Sequence, residues 1–325
     1  MVKSLNLNEF WGKKILITGG LGFVGGNLVS TMLNHDLEPI ILDYIPEGLT
    51  VDNRYIPFNR QDVEFYNVDL RNRKSVLEVV NNITPDYVIH LASMTDLTKD
   101  FNSAFLSVEI NIKGTLHLLE SVSKLSLENF LFMSTSDVYG GVQSPFHENQ
   151  TIIPASPYSV SKTSAEMYSL MFNRVLELPV TILRSFNLFG KYQKENRVLP
   201  YIIMRLLKGQ PVELTGGKQK REFNYVENLI DAIFLALKTP ESHGKVINIG
   251  TGESISIREI ALKVARRFNR VEKLRFGAVP YRPNEIWDMY CDNTRARTIL
   301  GWSPRIDLDK GLDHTIKWFQ DTFTQ

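Results

Sequence analysis

The chain has 325 residues, 43% hydrophobic, 22% charged and 10% aromatic, the make-up of one large or two moderate globular cores rather than of a disordered or fibrous protein. Lys plus Arg number 37 against 36 Asp plus Glu, so no field of one sign draws it to nucleic acid or anionic lipid, and its partner is expected to be small. The single cysteine, Cys291, cannot close an internal disulfide, no Cys/His cluster suggests a metal, and no apolar run approaches the ~20 residues that span a bilayer, so a cytoplasmic location is expected.

The first ten residues read as a loose tail. Runs rich in Val, Ile and Leu then recur at 14–18, 39–43, 63–70, 87–92, 130–134 and 180–184, each predicted to be a strand buried on both faces. Between them lie helical patterns, the longest at 103–125 and 157–178, with apolar residues three and four apart. Strands alternating with helices predict an α/β fold, a Rossmann-type doubly wound parallel sheet. Beyond Arg184 the elements shorten, with turns at 209–211, 216–217 and 250–252. This predicts a smaller, interleaved C-terminal α/β substrate lobe. A helix at 227–237 and a strand at 245–249 are regular enough to return to the first sheet. The expected division is 1–187, with 224–250 returning to it, against 188–223 and 251–325.

The first strand runs directly into Gly19-Gly20-Leu21-Gly22-Phe23-Val24-Gly25, and a helix follows. Strand, glycine turn and helix in that order suit a pyrophosphate: glycine allows the tight turn and the close approach of backbone, and the helix N-terminus offers free N–H groups. Gly19, Gly22 and Gly25 supply the three positions, with Phe23 and Val24 opening the helix. Eighteen residues beyond Gly25 stands Asp43, a carboxylate placed to accept from a ribose hydroxyl and to repel a 2′-phosphate. NAD is therefore expected rather than NADP. Asp69, with Leu70 beside it, is a weaker candidate for the adenine edge.

Tyr158 and Lys162 occupy i and i+4 of a predicted helix, so both side chains share a face. A phenol of pKa about 10 needs a nearby cation to act as a base at neutral pH. Lys162 and oxidised NAD each offer one. Thr135, at the end of the fifth predicted strand, is placed to hydrogen-bond the hydroxyl that Tyr158 deprotonates. Taken singly, a Tyr/Lys pair is surface decoration more often than chemistry; with the glycine turn and the strand end it becomes a candidate site. His90, Phe223, Trp302 and Trp318 read as packed residues.

With these residues stand TGGLGFVG, HLAS at 90–93, NIKGT at 111–115, STSDVYG, YSVSK, LRSFNLFG at 183–190, REFNYV at 221–226, INIGTGE at 247–253 and RPNE ahead of LGWSP. In this order they resemble the extended short-chain dehydrogenase/reductase family, the NAD-dependent epimerases and dehydratases of nucleotide sugars. The resemblance implies that Gly19, Gly22 and Gly25 hold the NAD pyrophosphate, Asp43 the ribose and Asp69 the adenine, with Leu91 and Ala92 against the cofactor. It makes Tyr158 the base, Lys162 its tuner and a ribose ligand, and Thr135 the third member. Asn187 and Arg221 resemble the diphosphate ligands, and Arg282 with Glu285 a nucleotide clamp. Met94, Thr95, Ser136 and Val198 are candidates for the sugar pocket.

All members share removal of the 4-hydroxyl proton as the C4 hydride passes to NAD. An epimerase then returns the hydride to the opposite face, whereas a 4,6-dehydratase also needs a base at C5 and an acid at the C6 hydroxyl. Such dehydratases carry Thr-Asp-Glu or Thr-Ser-Glu after the strand, and the latter also marks related decarboxylases. Here the triplet is Thr135-Ser136-Asp137. Asp137 is a methylene shorter than Glu, and a misplacement of about 1 Å costs roughly 100-fold; its alternative reading is a solvent-facing strand-end acid or turn cap. GKYQ at 190–193 followed by RVLP at 197–200 resembles the epimerases. A 4-epimerase is therefore expected, with a dehydratase or decarboxylase as the alternative. An NADPH reductase is disfavoured by Asp43, and a binding protein without chemistry by the intact Tyr/Lys pair. The helices at 103–125 and 157–178 resemble the pair that forms a four-helix homodimer interface in the family, though their apolar positions suit packing on the sheet equally well.

Overall fold

The computed structural model describes residues 7–95, 98–282 and 285–324. In chain order the first half runs β1 (Ile15–Thr18), α1 (Phe23–Leu33), β2 (Pro39–Asp43), β3 (Glu64–Asn67), α2 (Arg73–Ile83), β4 (Tyr87–His90), α3 (Phe101–Ser107), α4 (Gly114–Val122) and β5 (Asn129–Thr135). It continues with α5 (Pro157–Leu176), β6 (Val180–Ser185), β7 (Leu188–Phe189), α6 (Val198–Leu207), β8 (Val212–Leu214), β9 (Lys220–Glu222), β10 (Asn224–Tyr225), α7 (Val226–Leu237) and β11 (Lys245–Ile249). The last elements are β12 (Ser254–Ser256), α8 (Ile257–Arg267), β13 (Leu274–Phe276), α9 (Thr294–Leu300) and α10 (Leu308–Phe323).

Seven strands form one parallel sheet in the order β11-β6-β5-β4-β1-β2-β3. Side-chain alternation divides its core. Ile15, Ile17, Ile41, Ile89, Leu131 and Leu183 pack with α1, α7 and α9 on one face. Leu16, Leu42, Val88, Phe130, Phe132 and Ile182 pack with α2, α4 and α5 on the other. Both faces being covered is why the central strands read as continuous apolar runs. The edge strand β3 departs from that expectation: Glu64 and Asn67 are exposed, because only one neighbour and part of one face cover it.

The second lobe is built on α6, α8 and α10 with the parallel pair β8–β13, and β9 and β12 pair antiparallel beside it. The chain passes into this lobe after β6 and returns through α7, so that β11 lies parallel to β6. One expected boundary shifts. Ala296 and Leu300 of α9, together with Trp302, pack in the first core beneath α7 rather than in the second lobe. The tail reading of the first ten residues is corrected for 7–10, where Leu7 and Phe10 are buried and Phe10 packs against Tyr87 and Phe234; residues 1–6 lie outside the described residues. The helix expected at 103–125 is broken in two by a π-helical turn, Val108–Lys113, between α3 and α4. Helix α5 keeps its predicted start because Ser156 and Ser159 form a reciprocal capping box with Pro157 in the first turn.

Candidate active site

The carboxyl ends of β1, β2, β4, β5 and β6 open on one edge of the sheet, where open parallel sheets bind ligands. At β1 the glycines have distinct reasons. Gly19 has φ +77°, and a Cβ on it would meet the Ala92 backbone N at 2.7 Å; a Cβ on Gly25 would fall 2.2 Å from the Gly19 carbonyl. The protein's own backbone requires glycine at both. Gly22 has an ordinary φ of −78° and a Cβ on it would meet only the Gly19 carbonyl, at 3.3 Å. Bare backbone at Gly22, which caps α1 with no side-chain acceptor, leaves the N–H groups of Phe23 and Val24 open to an anion. The cradle fits a pyrophosphate.

Asp43 ends β2 with Oδ2 accepting from Leu21 N at 2.9 Å and Oδ1 from Tyr44 N at 2.8 Å. Burial raises its pKa and these two bonds oppose the rise. It is thereby fixed against the glycine turn. Asp69 sits in a groove of about 590 Å³ lined also by Tyr44, Asn67, Val68, Arg71, Asn72 and Ser75. Its carboxylate is paired with Arg71 at 2.5 Å; burial raises its pKa, but the Arg71 bonds outweigh this and hold it low. Leu70, expected beside the cofactor, packs its side chain in the core against Gly114 and is 6% exposed. Leu91 and Ala92 follow β4, with their N–H groups donating to the Thr18 carbonyl and hydroxyl at 3.1 and 3.3 Å. His90 is a packed strand histidine between the Thr18 and Thr115 hydroxyls at 2.6 and 2.9 Å, and burial, with Lys162 adding to it, pushes its pKa down to about 3.

Thr135 and Tyr158 come together at the sheet edge, close enough for the threonine hydroxyl to favour the ionised phenol. Burial and then the Asp137 charge push the Tyr158 pKa well up, opposed by Thr135 and Arg197. Lys162 lies one turn on, its Nζ 4.1 Å from the Phe132 ring centroid. Burial brings its pKa down to about 7, with Glu166 opposing. A lysine whose pKa burial lowers in this way gives Tyr158 less help than its residue type suggests.

Asp137 is not the solvent-facing acid of the alternative reading. Its N–H and Oδ2 both meet the Thr135 hydroxyl, at 3.2 and 3.3 Å. Burial raises its pKa, while Thr135 and the charges of Arg197, Arg221 and Arg282 oppose the rise. Ser136 is buried, with Oγ 3.9 Å from the Met289 Sδ. Asn187 donates through Nδ2 to the Glu222 carbonyl at 3.2 Å. Arg221 does not stand free for a ligand: it bonds Glu285 Oε1 at 2.5 Å, and the Ile286 and Lys220 carbonyls at 2.5 and 2.7 Å. Glu285, expected with Arg282 to clamp a nucleotide, pairs with Arg221; Pro283 and Asn284 of that motif lie outside the described residues. Thr95 accepts from Arg197 at 3.4 Å, and Val198 opens α6 beside it.

Two parts of the site escaped the motif reading. Asn111 sits in the π-helical turn, and its side chain ties Met94 N at 2.8 Å to Ser161 Oγ at 2.8 Å, holding the loop after β4 to the helix that carries Lys162. Behind Lys162, Glu166 and Arg184 form a buried two-pronged pair at 3.0 and 2.7 Å, and Arg184 stacks 4.8 Å from the Tyr139 ring. NIKGT and LRSF flagged both segments, but not these contacts.

The sequence profile of the GDP-mannose 4,6 dehydratase family matches residues 16–315. The chain belongs to this family, the extended short-chain nucleotide-sugar epimerases and dehydratases. It is 31% identical over 319 residues to the provisionally named UDP-glucose 4-epimerase of Methanocaldococcus jannaschii, covering 94% of this chain and 98% of that protein. It is 29% identical to the dTDP-glucose 4,6-dehydratase of Streptomyces niveus, over 95% and 93% of the two chains. Among solved structures, the Thermus thermophilus UDP-glucose 4-epimerase in complex with NAD superposes with a TM-score of 0.83 at 28% identity, covering 94% of this chain and 99% of that one. The protein is accordingly an NAD-dependent enzyme of the epimerase/dehydratase family.

Proposed function

We propose that the protein is a nucleotide-sugar 4-epimerase working through a 4-keto sugar. The observation that carries this reading lies after β5. Thr135 joins Tyr158, as removal of a 4-hydroxyl proton requires, while the next side chain is a serine turned toward Met289 Sδ. Dehydration needs an acid at C6 in addition to a base, and a neutral hydroxyl buried against a thioether is a poor acid.

In this reading the N–H groups of Phe23, Val24 and Gly25 hold the cofactor pyrophosphate, with Gly19 and Gly22 shaping the turn, Asp43 holds the adenosine ribose and Asp69 the adenine edge, and Leu91 and Ala92 flank it. NAD, when bound, supplies a hydride acceptor and a positive charge to the site. Tyr158 accepts the 4-hydroxyl proton and later returns it, and Thr135, whose hydroxyl lies beside the phenol, orients the sugar oxygen. Lys162 bonds the cofactor ribose and adds its partial charge. Arg221 and Asn187 bind the diphosphate, Arg282 the nucleotide, and Thr95, Ser136 and Val198 line the sugar. Arg221 already spends three hydrogen bonds on the protein, so it meets phosphate as a fixed rather than a mobile cation.

Asp137 favours a second reading, the 4,6-dehydratase, because its carboxylate is held beside Tyr158 rather than in solvent. Incubation of the protein and NAD with UDP-, dTDP-, GDP- and CDP-sugars, followed by mass spectrometry, separates the readings. An isobaric product of altered retention supports epimerisation. Loss of water makes Asp137 the C5 base, and loss of carbon dioxide from a glucuronate indicates a decarboxylase; either outcome overturns the epimerase reading.

We also propose a homodimer through α3 and α5. Phe101 and Phe105 are 82% and 69% exposed on α3, and Val160, Met167, Tyr168 and Val175 form an exposed stripe on the adjacent α5. A second copy meeting both helices makes a four-helix bundle, and sedimentation as a monomer refutes it. Among the described residues no helix is long and apolar enough to cross a membrane, and the proposed cofactor and substrate suit the cytoplasm.

A further inference from the structure

Glu222, at the end of β9, has no part in the chemistry above, yet its side chain is fully buried. Its carboxylate joins segments remote in sequence. Oε1 accepts from Gly252 N at 3.0 Å and Oε2 from Cys291 N at 2.8 Å. The backbone of the same residue completes the junction: its N–H donates to the Met289 carbonyl at 2.8 Å, and its carbonyl accepts from Asn187 Nδ2 at 3.2 Å. Gly250 closes over the carboxylate so tightly that a Cβ there would lie 2.1 Å from Oε1. Among the described residues no cation pairs with this carboxylate. Burying an acid without a counter-ion is costly: burial pushes the Glu222 pKa up to about 7, and the Cys291 and Gly252 N–H groups oppose the rise only in part. An amide cannot replace it, since glutamine has one acceptor oxygen and would turn an NH₂ toward the second N–H.

What hangs from this junction is the sugar-nucleotide side of the site. Arg221 is the preceding residue on β9, Asn187 bonds the Glu222 carbonyl, and Met289, whose backbone β9 holds, directs its Sδ to within 3.9 Å of both Asn187 Nδ2 and Ser136 Oγ. We propose that Glu222 is a positioning residue for nucleotide-sugar binding: its carboxylate clamps the 250–252 turn and the 289–291 segment to β9, and so presents Arg221 and Asn187 to the diphosphate. This rests on the reading of those two residues as diphosphate ligands. The clamp acts on binding and leaves the Thr135–Tyr158 pair and the NAD cradle untouched.

The test is Glu222→Gln, with Glu222→Asp, which keeps two acceptor oxygens, as the conservative comparison. UDP and dTDP affinities are measured by calorimetry, NAD affinity by fluorescence, and kcat and KM on the sugar the enzyme turns over. Glu222→Gln is expected to weaken nucleotide binding and raise KM about tenfold, the loss of one hydrogen bond to a charged group, with kcat and NAD affinity within about threefold. Glu222→Asp is expected to recover part of the loss. If Glu222→Gln does not fold, the same split in Glu222→Asp carries the test. Unchanged nucleotide affinity and KM in a folded variant, or a fall in kcat alone, overturns the proposal. Arg221→Met measured in parallel separates the two claims. If it leaves UDP and dTDP binding unchanged, the diphosphate reading fails and the proposal with it; if it weakens binding while both Glu222 variants do not, only the positioning role fails.

Discussion

Removing the Glu166 carboxylate tests the link between core and chemistry most sharply. Glu166 and Arg184 are 0% and 4% exposed and meet at 3.0 and 2.7 Å, tying α5, which carries Tyr158 and Lys162, to β6, between β11 and β5 in the sheet. Glu166→Ala strands a guanidinium in the core beside the Tyr139 ring, and breaking such a pair costs about 3–5 kcal/mol. At an unfolding entropy of about 2.1 cal/mol/K per residue, 4 kcal/mol in a chain of this length lowers Tm by about 6 °C. Replacing both partners by methionine removes the orphaned charge as well as the pair, so the double variant is expected to recover most of that loss. Thermal and urea unfolding followed by circular dichroism measure both. A single variant within about 1 °C of the parent, or a double variant no more stable than the single, refutes the claim that the buried charges depend on one another.

Other expectations follow from the same geometry. Tyr158→Phe leaves NAD affinity nearly unchanged while kcat falls by at least about 100-fold, because only the proton acceptor is removed; near-parental turnover would show that the base lies elsewhere. Gly25→Ala drives a Cβ to 2.2 Å from the Gly19 carbonyl, and is expected to lose NAD binding and to cost about 1–3 kcal/mol of stability, read by fluorescence titration and urea unfolding. Lys162 has its folded pKa lowered to about 7 from 10.5, so between those values the unfolded chain binds more protons and stability gained through this group rises with pH. Lys162→Met should therefore raise Tm relative to the parent at pH 7, with the difference shrinking toward pH 10, while activity is lost; a difference independent of pH contradicts the buried-lysine argument.

The central sheet was legible because its inner strands are short apolar runs buried on two faces, and the alternation of Ile15 and Ile17 against Leu16 follows directly from the period of two. The glycine turn and the Tyr158–Lys162 spacing were equally readable, since both depend on residues a few positions apart. Contacts that close over long separations were not. Phe10 finds its place only when Tyr87 and Phe234 are brought to it. Glu285 meets Arg221 through a loop whose path no local pattern encodes, and Glu222 meets Gly252 and Cys291 the same way. The π-helical turn that aims Asn111 inserts one residue into an otherwise regular helical periodicity, which the spacing of apolar residues in 103–125 does not reveal. Asp137 stood between a base and a solvent-facing acid because sequence carries no measure of burial; the charges of Arg197, Arg221 and Arg282 reach it only in the fold.

The claim of epimerisation through a 4-keto sugar is tested most directly by isotopic labelling of the substrate found in the nucleotide-sugar panel. The sugar labelled with deuterium at C4 is turned over in ordinary water, the unlabelled sugar is turned over in D₂O, and the products are read by NMR and mass spectrometry. The account predicts an isobaric epimer that retains deuterium at C4 and takes up none at C5. A product lighter by one water, with solvent deuterium incorporated into the sugar, would contradict it and transfer the chemistry to Asp137.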